Sequence, residues 1–235
     1  MIQANVDRPI FVTGAQRSGS SIIARIISLS GGYAGNVSPM YENVNIRKEV
    51  DLHYSTMGML NPTQFQFPLP NTKELLIPIN WKDRILHALS QGQVPTEDEI
   101  FWMYKGYSLC QVWPIWNYAF PNAKWIIVRR RTGDIVSSCM KTGYMSAFKD
   151  KDIQKAVGVS NEQDGWIWWV NEHEKLFIEM IDSGLNCKII WPERMVNGDY
   201  SQIWEMLEWL DLKWHDSIIK TIDPMLWNSK QKDKK

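Results

Sequence analysis

The stretch Ile10 to Ile27 reads IFVTGAQRSGSSIIARII and decides the fold. A short apolar run, Ile10 to Val12, passes into a polar loop, Thr13 to Ser21, and then into a segment whose Ile22, Ile23, Ile26 and Ile27 recur at helical spacing. Strand, tight loop and helix N-terminus therefore follow one another. Such a junction favours anions, because the first amides of a helix lack intrahelical acceptors and the helix dipole adds partial positive charge there. Gly14 and Gly19 permit turns that a side chain would block, while Ser18, Ser20 and Ser21 supply hydroxyl donors. An ordinary strand-to-helix turn needs none of this, so the loop reads as a cradle for a phosphate or sulfate.

The loop nearly matches the nucleotide signature G-x-x-x-x-G-K-[ST], with Gly14, Gly19 and Ser21 in place. It departs where an ATP- or GTP-hydrolysing loop carries Lys. Ser20 stands there, and the nearest cation is Arg17, on the other side of the glycine. An ordinary NTPase reading is weakened by that exchange.

Around this stretch, 235 residues with 44% apolar and 22% charged content suit one well-buried α/β domain spanning the whole chain. Lys plus Arg and Asp plus Glu both number 26, so no global charge attracts nucleic acid or an anionic membrane, and any anion site is local. Cys110, Cys139 and Cys187 are odd in number and far apart, which predicts reduced, mostly buried thiols in a soluble cytoplasmic protein. No apolar run is long enough to span a bilayer, and MIQANVDRP lacks the apolar core of a signal peptide. Most of the thirteen tryptophans, including Trp166, Trp168, Trp169, Trp204 and Trp209, are read as packing residues.

Farther along, Ser38 to Asp51 is expected to emerge near the anion loop, and Tyr54 to Asn80, with Pro62, Pro68, Pro70 and Pro78, reads as an irregular acceptor-side loop. Trp81 to Ser90 predicts a helix ended by Gly92, and Ile100 to Tyr104 a buried strand. Ser108 is the expected cap of the helix that follows. KWIIV, Lys124 to Val128, is the clearest central strand, running through Arg129, Arg130 and Arg131 into a helix capped by Thr132. A Trp-rich helix from Asn161 to Ser183, a strand from Lys188 to Trp191 and helices near Ser201 to Leu210 and His215 to Ile222 complete the order, with residues 230–235 a solvated tail. Strands alternating with helices predict a three-layer α/β fold with a central, mostly parallel sheet.

The chemistry lies where a metal-binding nucleotide hydrolase would place an Asp. KWIIV ends instead in three arginines, and Ser138 falls about two turns into the next helix, so Arg130 and Ser138 could grip a second phosphate. Two anion grips on successive crossovers point to a doubly phosphorylated nucleotide. His87, His173 and His215 lack metal-ligand spacing, and Glu172-His173-Glu174 reads as a solvated face.

These residues resemble those of the sulfotransferases that use 3′-phosphoadenosine 5′-phosphosulfate, a P-loop-type fold. QRSGSS resembles their 5′-phosphosulfate loop, [RK]-[ST]-G-[ST]-[ST], and AKWIIVRRRTGDIVSS their 3′-phosphate motif, with Arg130, Asp134 and Ser138 on its Arg, Asp and Ser. Arg131 and Thr132 replace the usual Asp-Pro. Glu193 in WPERMVNGDYSQIWEMLEWLDLKW matches a C-terminal family Glu, and Lys105 in YKGYSLCQVW a frequent Lys.

The resemblance implies a fold, a co-substrate and a reaction: metal-independent sulfuryl transfer from the phosphosulfate to a hydroxyl or amine on a small-molecule, carbohydrate or peptide acceptor. Arg17, Ser18, Gly19, Ser20, Ser21, Arg130 and Ser138 would bind the nucleotide. Arg17 and Lys105 would stabilise the leaving phosphate, and Glu42, which follows the first helix where some relatives present a Glu, would act as general base. Glu49, Asp51 and His53 are its alternatives. A P-loop kinase using Mg²⁺-ATP, disfavoured by Ser20, and a non-catalytic nucleotide-binding module are the competing readings.

Overall fold

The computed structural model describes residues 7–58, 69–91, 101–143 and 145–222. The expected stop at Gly92, the start of the second strand at Ile100, the Pro62 and Pro68 portion of the irregular loop and the tail at 230–235 lie outside the described residues.

Four parallel strands form one sheet in the order β2-β1-β3-β4, with β1 at Ile10–Thr13, β2 at Met103–Lys105, β3 at Lys124–Val128 and β4 at Cys187–Ile190. β1 is buried throughout and lies between β2 and β3, as expected for a strand covered on both faces. Alternation assigns its side chains to opposite layers. Phe11, Tyr104, Trp125 and Ile127 pack on one face with α2 (Val44–Thr56), α3 (Trp81–Ser90) and α4 (Trp113–Ala119). Ile10, Val12, Ile126 and Val128 pack on the other with α1 (Ser20–Leu29), α9 (Ser201–Trp209) and α10 (Ser217–Thr221). The Phe11 ring sits edge-on to Trp102, Trp116, Phe120 and Trp125, with centroids 4.8 to 5.8 Å away, so burial and ring-edge attraction act together at the sheet centre.

A third cluster joins α5 (Thr132–Lys141) to the long α7 (Glu162–Asp182) through Val136, Cys139, Phe148, Trp166 and Trp169. The Asn161 side chain accepts the Asp164 amide and starts α7, as its sequence predicts. Short α6 (Lys151–Ala156) and α8 (Pro192–Val196) complete the helices of the described residues.

Several local expectations are corrected. Thr132 does not cap α5: Arg131 holds the N-cap position without a side-chain cap, and its amide donates to Glu193 Oε1 at 3.1 Å. Ser108 lies buried inside a 3₁₀ turn, Tyr107–Val112, and the α-helix begins only at Trp113, with Pro114 in its first turn. Within the segment expected to be irregular, α2 runs on to Thr56 and Thr72–Glu74 forms a 3₁₀ turn, while the other described residues up to Asn80 form neither helix nor strand. His173 is fully buried, not on a solvated face; its Nδ1 lies 2.9 Å from the Trp169 carbonyl, and burial depresses its pKa to about 4. Trp204 is not core but 51% exposed, stacked on Trp214.

Candidate functional site

Parallel strands end together, and their C-terminal ends gather the polar groups. Val12 pairs with Lys105, Thr13 with Ile127 and Val128 with Ile190, so the anion loop, Lys105, the three arginines and Glu193 all emerge at one edge.

The loop after β1 is fixed by close approach. A Cβ at Gly14 would stand 2.5 Å from the Val128 carbonyl oxygen and 2.6 Å from Ser18 Oγ, so only glycine lets the chain turn against β3. Gly19 caps α1 in the left-handed region at φ 97°, and Arg17 also has positive φ, 68°, a conformation that a non-glycine side chain resists. No acidic residue occupies the first turn of α1, which leaves its amides and dipole to an anion. The Ser18 hydroxyl is buried with no hydrogen-bond partner among the described residues, an orphaned donor that an anion oxygen would satisfy.

The structure brings Arg17, Arg130 and Ser138 together. Arg17 Nε donates to Ser138 Oγ at 2.9 Å, and Arg130 Nη1 to the Arg17 carbonyl at 3.2 Å. Burial works against the Arg130 charge and lowers its pKa; Asp134 and Glu193 support the charge, while Arg17 adds repulsion. A bound anion would relieve that repulsion.

On the other side of β1, Lys105 is 6% exposed. Its Nζ donates to Glu42 Oε1 at 3.1 Å, the only carboxylate pairing recorded for it among the described residues. Burial lowers the Lys105 pKa, partly offset by the Glu42 charge and hydrogen bond. Glu42 stands in the turn before α2, whose start is set by Asn43 accepting the Asn45 and Ile46 amides. Ser38 Oγ accepts the Glu42 amide at 3.3 Å, and Ser21 Oγ donates to the Met40 carbonyl at 3.0 Å, tying this turn to the anion loop's helix.

The alternatives to Glu42 are placed differently. Glu49 is held by Arg84 through Nε and Nη2 at 2.9 and 2.7 Å. His53 is buried against Trp81, ring centroids 5.2 Å apart, with its pKa lowered by burial and by Arg84. Asp51 accepts from Arg47 Nε at 2.7 Å. Arg47 is the member of the site that sequence reasoning missed: its Nη1 donates to Glu42 Oε2 at 2.7 Å. The i,i+4 spacing of Arg47 and Asp51 signalled one of its contacts; its reach back to Glu42 depends on the turn and had no signature.

Among the described residues no helix is long and apolar enough to cross a membrane. No curated protein matches the chain. Solved structures show the same fold at low identity. A sulfotransferase domain from the curacin biosynthetic pathway aligns with TM-score 0.57 and 14% identity over 94% of this chain and 79% of that one. The sulfotransferase domain of the Synechococcus PCC 7002 olefin synthase gives 0.53 and 14% over 97% and 89%. Sulfotransferase STF9 from Mycobacterium avium gives 0.53 and 14% over 98% and 70%. A family profile described as the sulfotransferase family matches residues 9–216, and the chain belongs to that family.

Proposed function

We propose that the protein transfers a sulfuryl group from 3′-phosphoadenosine 5′-phosphosulfate to a hydroxyl or amine acceptor. The observation that carries this reading is the Arg17 to Ser138 hydrogen bond at 2.9 Å, with Arg130 on the Arg17 carbonyl. It makes one site of the anion loop and the second cationic strand end, which suits a nucleotide phosphorylated at both the 5′ and 3′ positions.

In this scheme the loop amides and hydroxyls from Ser18 to Ser21 hold the 5′-phosphosulfate, and Arg130 with Ser138 holds the 3′-phosphate. The acceptor oxygen or nitrogen bonds to sulfur while the bond from sulfur to the bridging oxygen breaks. The acceptor proton passes to Glu42, and the bridging oxygen leaves on 3′-phosphoadenosine 5′-phosphate. Negative charge builds on that phosphate, and the scheme assigns Arg17 and Lys105 to meet it. At an effective dielectric near 20, one cation about 4 Å from a unit charge contributes roughly 4 kcal/mol, enough to shape the barrier.

Thermal shift with adenosine 3′,5′-bisphosphate against Mg²⁺-ATP tests the donor. At about 100 times Kd a ligand adds about 2.7 kcal/mol, which for a chain of this size raises Tm by roughly 5 to 10 °C. The bisphosphate is expected to give that rise; stabilisation by Mg²⁺-ATP alone would overturn the reading, because ATP lacks the 3′-phosphate assigned to Arg130.

A further inference from the structure

The two oxygens of Glu42 are held by different cations from different elements. Lys105 reaches Oε1 from the end of β2, and Arg47 reaches Oε2 from the first turns of α2. These two contacts differ in stiffness. Lys105 carries a point charge on a flexible four-carbon stem, next to the strand that feeds the anion loop. Arg47 is a planar fork already fixed elsewhere: its Nε is bonded to Asp51 at 2.7 Å, and its guanidinium lies over the Tyr107 ring, 5.5 Å from the centroid. Burial opposes the Arg47 charge, but Tyr107, Glu42, Tyr104 and Asp51 together hold its pKa above the ordinary value, so it stays cationic.

A base must have one oxygen free for the incoming proton and a side chain that does not wander. The backbone of Glu42 is fixed by the Ser38 turn, but nothing in that turn fixes its carboxylate. We propose that Arg47 is the positioning residue for Glu42, holding Oε2 so that Oε1 faces the acceptor once Lys105 turns from Glu42 to the donor's phosphate. This rests on the donor reading above. Arg47 touches neither substrate; it acts by keeping the carboxylate in one orientation, and its anchorage on Asp51 and Tyr107 makes that orientation independent of what Lys105 does.

The test uses the full chain and a probe that needs no knowledge of the acceptor: slow hydrolysis of 3′-phosphoadenosine 5′-phosphosulfate, read as release of 3′-phosphoadenosine 5′-phosphate. Here the water oxygen bonds to sulfur while the bond from sulfur to the bridging oxygen breaks; a water proton goes to Glu42, 3′-phosphoadenosine 5′-phosphate leaves with the bridging oxygen, and sulfate is the other product. Arg47→Gln is expected to lower kcat roughly 10- to 100-fold, the scale of a misplaced catalytic group. KM for the donor and Kd for adenosine 3′,5′-bisphosphate stay within about 2-fold, since the donor grip is untouched, and Arg47→Lys regains only part of the rate, because a point charge on a flexible stem lacks the fork that also bonds Asp51. Arg47→Met, which keeps an unbranched stem without the polar fork, carries the same expectation should Arg47→Gln not fold.

An unchanged kcat, or a loss matched by weaker bisphosphate binding, would overturn the role of Arg47. Wild-type protein that binds no bisphosphate would instead overturn the donor reading. Wild-type protein that binds bisphosphate yet hydrolyses no donor would remove Glu42 as base, and Arg47 with it.

Discussion

Arg17 donates its Nε–H to the Ser138 hydroxyl at 2.9 Å, closing a contact between residues 121 positions apart. The loop after β1 and the helix after β3 therefore share a side-chain bond before any ligand arrives. The proposed function assigns this guanidinium to the leaving phosphate and the Ser138 hydroxyl to the 3′-phosphate, so the bond lies between the two proposed phosphate grips.

Arg130→Ala should separate the two phosphates. A hydrogen bond to a charged group contributes about 1.5–3 kcal/mol, which predicts a loss of roughly 10- to 150-fold for adenosine 3′,5′-bisphosphate. Adenosine 5′-phosphate should lose much less, and calorimetry with both ligands reads the difference. Equal losses would show that Arg130 does not touch the 3′ group.

Gly14→Ala should strain the turn itself. The added methyl would meet the Val128 carbonyl at 2.5 Å, and backbone cannot yield as a flexible side-chain tip does. Overpacking of this kind costs about 1–3 kcal/mol, and bisphosphate binding should fall with it. Urea unfolding checks the first part; an unchanged midpoint with full binding would show that the strand end has room.

Glu42→Gln should cut turnover by about 10² to 10⁴, the usual contribution of a positioned base, with bisphosphate affinity kept. Stability answers a different substitution. Glu42→Met strands Lys105, nearly buried, without a counter-charge, at about 3 kcal/mol, and adding Lys105→Met should recover most of that loss. A double variant no more stable than the single one would show that the pair is not what burdens the site.

Acid should weaken the fold through His173. Its folded pKa of about 4 lies below the ordinary 6.5, so between these values the unfolded chain binds more protons than the folded one. Stability therefore falls as pH drops from about 6.5 to 4, by roughly 3 kcal/mol in all, and is unaffected by this group above that window. His173→Phe, placed among Trp169 and Phe177, should flatten this part of the pH dependence in chemical denaturation. A slope identical to wild type would assign the acid sensitivity to other groups.

The sheet was legible because its signals are local. β1, β3 and α7 carry apolar runs or caps that work within a few residues, and Ile10, Lys124 and Asn161 mark their starts. Ser108 and Thr132 misled because a capping residue type counts only where the chain leaves extended geometry. Around Ser108 the chain is in a 3₁₀ turn, and before Thr132 the long-range Glu193 contact sets the helix start. His173 misled because its neighbours Glu172 and Glu174 are polar, while the helix turns His173 alone toward Trp169 and Phe177. In the candidate site, residue types were readable but partnerships were not. The Lys105 to Glu42 contact spans 63 residues and that of Arg17 to Ser138 spans 121, and both are made by the strand order.

The Ser21 hydroxyl has a single proton to give. Here the Met40 carbonyl receives it, in the turn where Tyr41 sits at φ 62° just before Glu42. Under the proposed function, a donor oxygen that claimed this proton would take it from Met40 and loosen the strained turn, so occupancy of the nucleotide side and the backbone position of Glu42 would become coupled equilibria. Coupling of that kind is reciprocal: whatever factor the donor applies to acceptor affinity, the acceptor must return to the donor. Measured in either order, the two substrates should therefore report one and the same cooperativity constant.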